Sequence, residues 1–152
     1  KYPDSLYDKN SVYKTTSGRT MYGGGGIMPD IYVPVDTTGY TEFYYKLTAK
    51  GMLSDFMFSN LLNTDAYGVS ISSFIKNYKI SDEKYNRLIL AARQKGIKVN
   101  DAEAFVSRPV ISTELKAILA RYYFGDEGYF RVINSSDKTI VKSLEVLNGE
   151  KG

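Results

Sequence analysis

Histidine, cysteine and tryptophan are all absent from this chain of 152 residues. The lack of histidine and cysteine excludes a Ser-His-Asp triad, a cysteine nucleophile, an HExxH zinc motif and a thiolate metal site. An enzyme built from this sequence would have to use carboxylates, lysine, tyrosine or serine. The apolar runs are also far shorter than the roughly 20 residues that a membrane-spanning helix needs, so no such helix is predicted.

The excess of positive over negative charge is small as well. The 20 basic and 17 acidic residues give a net charge of +3, and the two signs are interleaved along the chain. Proteins that bind nucleic acids usually concentrate lysine and arginine on one face. The 14 tyrosines fall mostly at helical spacing beside apolar residues, which favours packing over base stacking. No nucleic-acid partner is therefore predicted.

The first 36 residues differ from the rest, since they hold three prolines and a run of four glycines. Residues 13–16 and 19–22 are predicted to be extended on either side of a turn at Ser17-Gly18. Apolar residues at positions 27, 31, 33 and 35 alternate with polar residues or proline, which indicates extended chain with one buried face. Short strands cannot bury themselves alone. This part therefore needs a sheet that the sequence does not contain, or must lie on the remainder.

From Thr37 onward the apolar period becomes helical. Apolar residues at helical spacing are followed by glycines that are predicted to end helices. The predicted N-terminal caps are Ser81, Asn100, Asp126 and Ser136. A short helix is predicted to end before Pro109, and a longer one at Gly125. The pattern predicts a mainly α fold, a small bundle of about seven short helices preceded by an extended segment. The predicted domains are residues 1–36 and residues 37–152.

Several local features are candidates for functional sites. Residues 23–26 are all glycine, but neither the P-loop nor the dinucleotide fingerprint is present, which favours a tight backbone passage. Asp30 and Asp36 are suited to acid–base work or a metal, yet each is also a common turn or cap residue. No spacing singles out a Ser-Lys pair. The residues alone predict no catalytic, cofactor-binding or metal-binding site.

One segment nevertheless has a specific pattern. Residues 13–33 read YKTTSGRTMYGGGGIMPDIYV. This resembles the segment that closes the catalytic domain of the carboxyl-terminal processing peptidases, serine peptidase family S41. Members carry Y-x-T-x-S/D-G-R, then G-x-G-I-x-P-D, then an apolar strand. The resemblance implies that the matching residues are structural neighbours of a catalytic core and not catalytic: Thr15, Gly18, Arg19, Gly23, Gly24, Gly25, Gly26, Pro29 and Asp30.

The four-glycine form, residues 35–41 and the tail at 115–121 and 125–134 resemble the Bacteroides-type branch, in which a helical extension follows the peptidase domain. The resemblance implies a parent that hydrolyses peptide bonds with a serine nucleophile and a lysine base, both upstream of this chain. Residues 1–36 would then be the C-terminal end of an α/β catalytic domain, separated from the rest of that domain.

The implied partners are that catalytic domain, a PDZ domain where present, protein substrates of the parent, and a second copy through residues 1–36. The parent is expected to be exported to the periplasm or cell envelope, although no targeting signal is found in these residues. The expected role of the chain itself is a non-catalytic bracing or interaction module. The alternative is a stand-alone helical module that binds a protein or peptide.

Overall fold

The computed structural model describes residues 12–18, 20–22, 31–62 and 68–149. The chain divides into two compact units, Lys1–Val35 and Asp36–Gly152. The predicted mainly α fold is confirmed, because the second unit is a small helical bundle. No helix in the described ranges is long and apolar enough to cross a membrane.

The first unit contains a β-hairpin. Strand β1 (Val12–Lys14) pairs antiparallel with β2 (Thr20–Tyr22), with Lys14 opposite Thr20. The predicted turn at Ser17-Gly18 is confirmed. The Gly18 N–H donates to the Thr15 carbonyl at 2.9 Å, and Gly18 has φ 83°, a left-handed conformation that favours glycine. The strands are shorter than the extended runs predicted from the sequence.

Six helices lie in the described part of the second unit: α1 (Glu42–Ala49), α2 (Met52–Asn60), α3 (Ile71–Asn77), α4 (Asp82–Gln94), α5 (Asp101–Ser136) and α6 (Lys138–Gly149). The predicted caps at Ser81 and Asn100 are confirmed, since each side chain accepts hydrogen bonds from the first turn of its helix. The longest helix, α5, packs against all the others. It therefore forms the centre of the core, whose fully buried large side chains include Phe43, Leu47, Met57, Leu88, Ile111, Leu115 and Leu119.

The predicted end of a helix before Pro109 is wrong, because α5 continues through that residue. Proline has no N–H, so the carbonyl of Phe105 loses its partner within the helix, at a typical cost of about 3 kcal/mol. Pro109 and Phe105 are both exposed, so water reaches this face of α5. The opposite face buries Ala104 and Ile111 in the core. This burial outweighs the lost hydrogen bond.

The predicted break at Gly125 is confirmed. Gly125 has φ 68° and ψ −161° within α5, a combination that is essentially restricted to glycine, and the helix kinks there. Beyond the kink, the Cα of Gly128 lies so close to the part of α5 before the kink that a Cβ would meet the carbonyl oxygen of Ala120 at 2.5 Å. An ion pair of 2.6 Å between Arg121 and Asp126 spans the kink. The two halves of α5 are thus packed on each other.

The predicted cap of the last helix lies one residue too early. Asp137, and not Ser136, accepts hydrogen bonds at the start of α6, from the N–H groups of Thr139 at 2.7 Å and Ile140 at 3.1 Å. The Ser136 hydroxyl instead donates to the carbonyl of Ile133 at 2.9 Å, within the helix that ends there.

Candidate functional site

Residues 36–41, here called the docked segment, connect the first unit to α1 and are attached to α5 and α6. The attachments are a hydroxyl pair, a glycine that contacts a valine, and an ion pair. Neighbouring residues of α1 add two further hydrogen bonds to α5. These contacts bring together residues that lie between 60 and 102 positions apart in the sequence.

The hydroxyl pair joins Thr41 to Ser107. Their Oγ1 and Oγ atoms lie 2.6 Å apart, and Ser107 is completely buried. Thr41 is also the N-cap of α1, since its Oγ1 accepts from the N–H of Tyr44 at 3.4 Å. A buried hydroxyl without a partner would be costly. The two side chains therefore depend on each other.

A carboxylate from α5 completes the cap of α1. The Oε2 of Glu103 accepts a hydrogen bond of 2.8 Å from the backbone N–H of Phe43 in the first helical turn. In a capping box the carboxylate comes from the same helix. Here it comes from a different helix and also places negative charge at the positive end of the α1 dipole. The start of α1 is thus determined by a tertiary contact.

The next residue of α1 is Tyr44, whose hydroxyl donates to Oε2 of Glu114 on α5 at 3.2 Å. Burial, and then the negative charge of Glu114, raise the pKa of Tyr44 above its usual range. The phenol therefore remains protonated and acts as a hydrogen-bond donor. It supports the orientation of α1 and is unsuited to be a base.

Gly39 allows the docked segment to approach α5 closely. A Cβ at Gly39 would lie 2.4 Å from Cγ2 of Val110 and 3.8 Å from the carbonyl oxygen of Val106. Any larger residue would have to displace the Val110 side chain or the segment itself. Glycine is required here because of the space available.

Asp36 attaches the beginning of the segment to α6. Its Oδ2 lies 2.6 Å from Nζ of Lys138, and its Oδ1 accepts from the N–H of Thr38 at 3.1 Å. The hydrogen bond from Lys138, followed by that from the Thr38 backbone, lowers the pKa of Asp36 to about 2. Asp36 is therefore a turn residue with an ion-pair partner. Asp30, the other candidate acid–base residue, lies outside the described residues.

These contacts are suited to holding the docked segment in place, because their polar atoms form hydrogen bonds and an ion pair with each other. Within the described ranges, no serine hydroxyl is hydrogen-bonded to a lysine amino group, and no group of three or more acidic side chains is placed to hold a metal ion. The Lys116 amino group donates to the carbonyl of Ile75 at 2.6 Å.

The residues of the peptidase-like motif lie in the first unit. Thr15 and Gly18 form the hairpin turn, where the Thr15 hydroxyl also lies 2.9 Å from that of Ser17. The remaining motif residues lie outside the described part of the chain: Arg19, Gly23, Gly24, Gly25, Gly26, Pro29 and Asp30.

Sequence reasoning missed the principal residues of the site, namely Gly39, Glu103, Ser107 and Glu114. Glu103 lies three residues after Asn100, a spacing that predicts a capping box at the start of its own helix. The pattern gave no sign that it caps α1. The single available signal was Ser107 on an otherwise apolar helix face, and a lone serine there has no specific interpretation.

The fold and its site define a class, a helical bundle whose N-terminal connection is bound along a central kinked helix. Comparison with known families gives a match over residues 43–125, from the start of α1 to the kink of α5. The matching family is described as a family of unknown function (DUF8443), and the chain belongs to it. No curated protein and no solved structure matches the chain.

Proposed function

We propose that this chain is the C-terminal part of an S41-family serine endopeptidase, and that its helical unit braces the catalytic domain. The parent would hydrolyse peptide bonds of protein substrates in the periplasm or cell envelope. Its Ser/Lys dyad would lie upstream, so these residues would supply no catalytic group. The resemblance of residues 13–33 to the segment that closes the peptidase domain supports the family.

Exposed apolar residues before the docked segment are consistent with this proposal. Ile31 is 45% exposed, Tyr32 49% and Val35 85%. Neighbouring apolar side chains exposed to this extent are typical of surfaces that contact another part of a protein. In the proposal they contact the rest of the catalytic domain.

The observation that carries the bracing role is the docked segment. A flexible linker would have no contacts with the domain that follows it. Here the chain is bound from Asp36 onward, through Lys138, Val110 and Ser107. The helical unit would therefore hold the last residues of the catalytic domain at a defined point of attachment.

A paired assay tests the family. The full-length gene product and the present 152-residue chain are each incubated with an unfolded protein substrate. We expect cleavage by the full-length protein, loss of cleavage when its upstream serine is changed to alanine, and no cleavage by the present chain. Cleavage by the present chain would contradict the proposal, and so would an inactive full-length protein.

A second measurement tests the bracing role separately. In the full-length protein, Ser107→Ala should shorten the half-life of peptidase activity at elevated temperature, because it loosens the docked segment. Ser70→Ala, which removes the cap of α3 and leaves the docked segment intact, is the matched control. Equal half-lives for the two variants would argue against bracing.

The alternative is a stand-alone module that binds a protein or peptide, and α6 favours it. This helix exposes an apolar stripe in which Val141 is 40% exposed, Leu144 55% and Leu147 59%. Amphipathic helices often use such faces to bind partners. Titration of an amphipathic peptide into the chain distinguishes the two. Binding that is lost in Leu144→Glu supports the alternative, and absence of binding supports bracing.

A further inference from the structure

Helix α5 is apolar on two opposite faces near its start. One face is buried in the core through Ala104 and Ile111. The opposite face, here called the outer face, consists of Ala102, Phe105, Val106 and Pro109. Their spacing of i, i+3, i+4 and i+7 places these residues together on one side of the helix. A surface helix normally carries polar residues opposite its core face. The outer face therefore departs from the pattern of a helix that faces water.

The outer face is exposed and uncharged. All four of its residues are exposed, and Phe105 is 78% exposed. The two charged residues within the same stretch of α5 are engaged elsewhere, since Glu103 accepts from the N–H of Phe43 and Arg108 pairs with Asp82. A single exposed apolar residue is ordinary, whereas neighbouring ones are typical of a surface that contacts another part of a protein.

Pro109 is a further sign that the outer face is not built for water. In an α-helix the N–H of residue 109 would donate to the carbonyl of Phe105, and proline has no N–H. Because Pro109 is exposed, the packing of the described residues does not require a proline there. Positions that break a local rule in this way are expected at functional surfaces. The proline also leaves the Phe105 carbonyl as an acceptor within an apolar surface.

The docked segment borders the outer face and indicates what can reach it. A Cβ at Gly39 would lie 2.4 Å from Cγ2 of Val110 and 3.8 Å from the carbonyl oxygen of Val106, so the segment passes beside this face. Val35 precedes Gly39 by four residues, which span at most about 14 Å. The part of the parent that precedes the docked segment is thus tethered near the outer face at a high effective concentration.

We infer that the outer face is the surface of the helical unit on which the catalytic domain of the parent rests, through residues upstream of this chain. The inference rests on the proposed function, since the occupant is the domain that the helical unit is proposed to brace. The side chains of Phe105 and Pro109 are buried in this contact, and the Phe105 carbonyl accepts a hydrogen bond from the catalytic domain. Bracing then uses two attachments, the docked segment and the outer face.

The test is hydroxyl-radical footprinting, in which the modification rate of a side chain reports its exposure to solvent. The present 152-residue chain is compared with the full-length gene product. Burial of Phe105 in an interface should lower its modification rate at least about fivefold in the full-length protein. Phe130, which is 54% exposed on α5 beyond the kink, is the internal reference, and its rate should change by less than about twofold.

Pro109→Asp tests the outer face without damaging the fold. It restores an N–H that can bond to the Phe105 carbonyl, so the melting temperature of the present chain should be no lower than that of the wild type. In the full-length protein it places a charge in an apolar contact, and the modification rate of Phe105 should return to within about twofold of the rate in the present chain. Leu144→Asp, which changes an exposed residue of α6, is the matched control and should leave Phe105 protected.

Equal modification of Phe105 in the two proteins would overturn the inference, and so would equal protection of Phe105 and Phe130. Protection that appears in the present chain as its concentration rises would overturn it in favour of a second copy as the occupant. Footprinting needs no peptidase activity, so the two proposals can fail separately. An active full-length protein with an accessible Phe105 would refute this inference alone. An inactive one that protects Phe105 would refute the peptidase assignment and support the contact.

Discussion

The hydroxyl pair between Thr41 and Ser107 allows a quantitative test of the docked segment. Ser107→Ala leaves the partly buried Thr41 hydroxyl without its partner at 2.6 Å, and an unsatisfied polar group typically costs about 1–3 kcal/mol where it is buried. Thr41→Ala removes the cap of α1 as well, with a typical cost of about 0.5–2 kcal/mol for the cap alone. In the double variant the hydrogen bond is lost only once. We therefore expect the loss in free energy of unfolding in the double variant to be about 1 kcal/mol smaller than the sum of the losses in the two single variants.

The measurement is urea-induced unfolding followed by far-ultraviolet circular dichroism, with free energies of unfolding for the wild type, the two single variants and the double variant. A control cycle combines Ser107→Ala with Ser70→Ala, which removes an N-cap that bonds to Ser73 at 3.3 Å within α3. Since Ser70 and Ser107 share no partner, their effects should add to within about 0.5 kcal/mol.

Additive effects in the Thr41–Ser107 cycle would refute the reasoning. They would mean that the two hydroxyls do not bond in solution, and that the docked segment is attached more weakly than its geometry indicates. A coupling of similar size in the control cycle would show that the destabilised variants differ in their unfolded states. The cycle would then not measure the contact itself.

Two further predictions concern the kink and the ion pair. Gly128→Ala should lower the free energy of unfolding by about 1–3 kcal/mol, because its Cβ would lie 2.5 Å from the Ala120 carbonyl oxygen. Gly149→Ala, whose Cβ would have nothing within 4 Å, should have little effect in the same urea titration. Equal effects of the two changes would argue against close packing at the kink. The lowered pKa of Asp36, about 2 in place of 3.8, means that its stabilisation is present above pH 3.8 and is lost as the pH falls through about 2. A carboxyl titration by NMR should show the Asp36 midpoint near 2 and its return towards 3.8 in Lys138→Met, and an unchanged midpoint would show that Lys138 is not the cause.

Most of the secondary structure was predictable because its signals are local. Ser81 and Asn100 begin helices because their side chains accept hydrogen bonds from N–H groups two or three residues later. Gly125 interrupts α5 because its backbone conformation is accessible almost only to glycine. The turn at Gly18 follows from the same freedom. Each of these effects acts within a few residues and needs no knowledge of the fold.

The continuity of α5 through Pro109 was decided by the tertiary structure, since the local penalty of proline is opposed by burial of the other helix face. The same is true of the docked segment. Glu103 accepts a hydrogen bond from Phe43, which lies 60 residues earlier in the first turn of α1, and Gly39 is required by the position of Val110. Lys116 on α5 reaches the carbonyl of Ile75 because α3 packs against α5. The sequence thus determines the local caps, turns and glycine breaks, while the continuity of α5, the completed cap of α1 and the contacts between helices depend on distances that arise only when the core is packed.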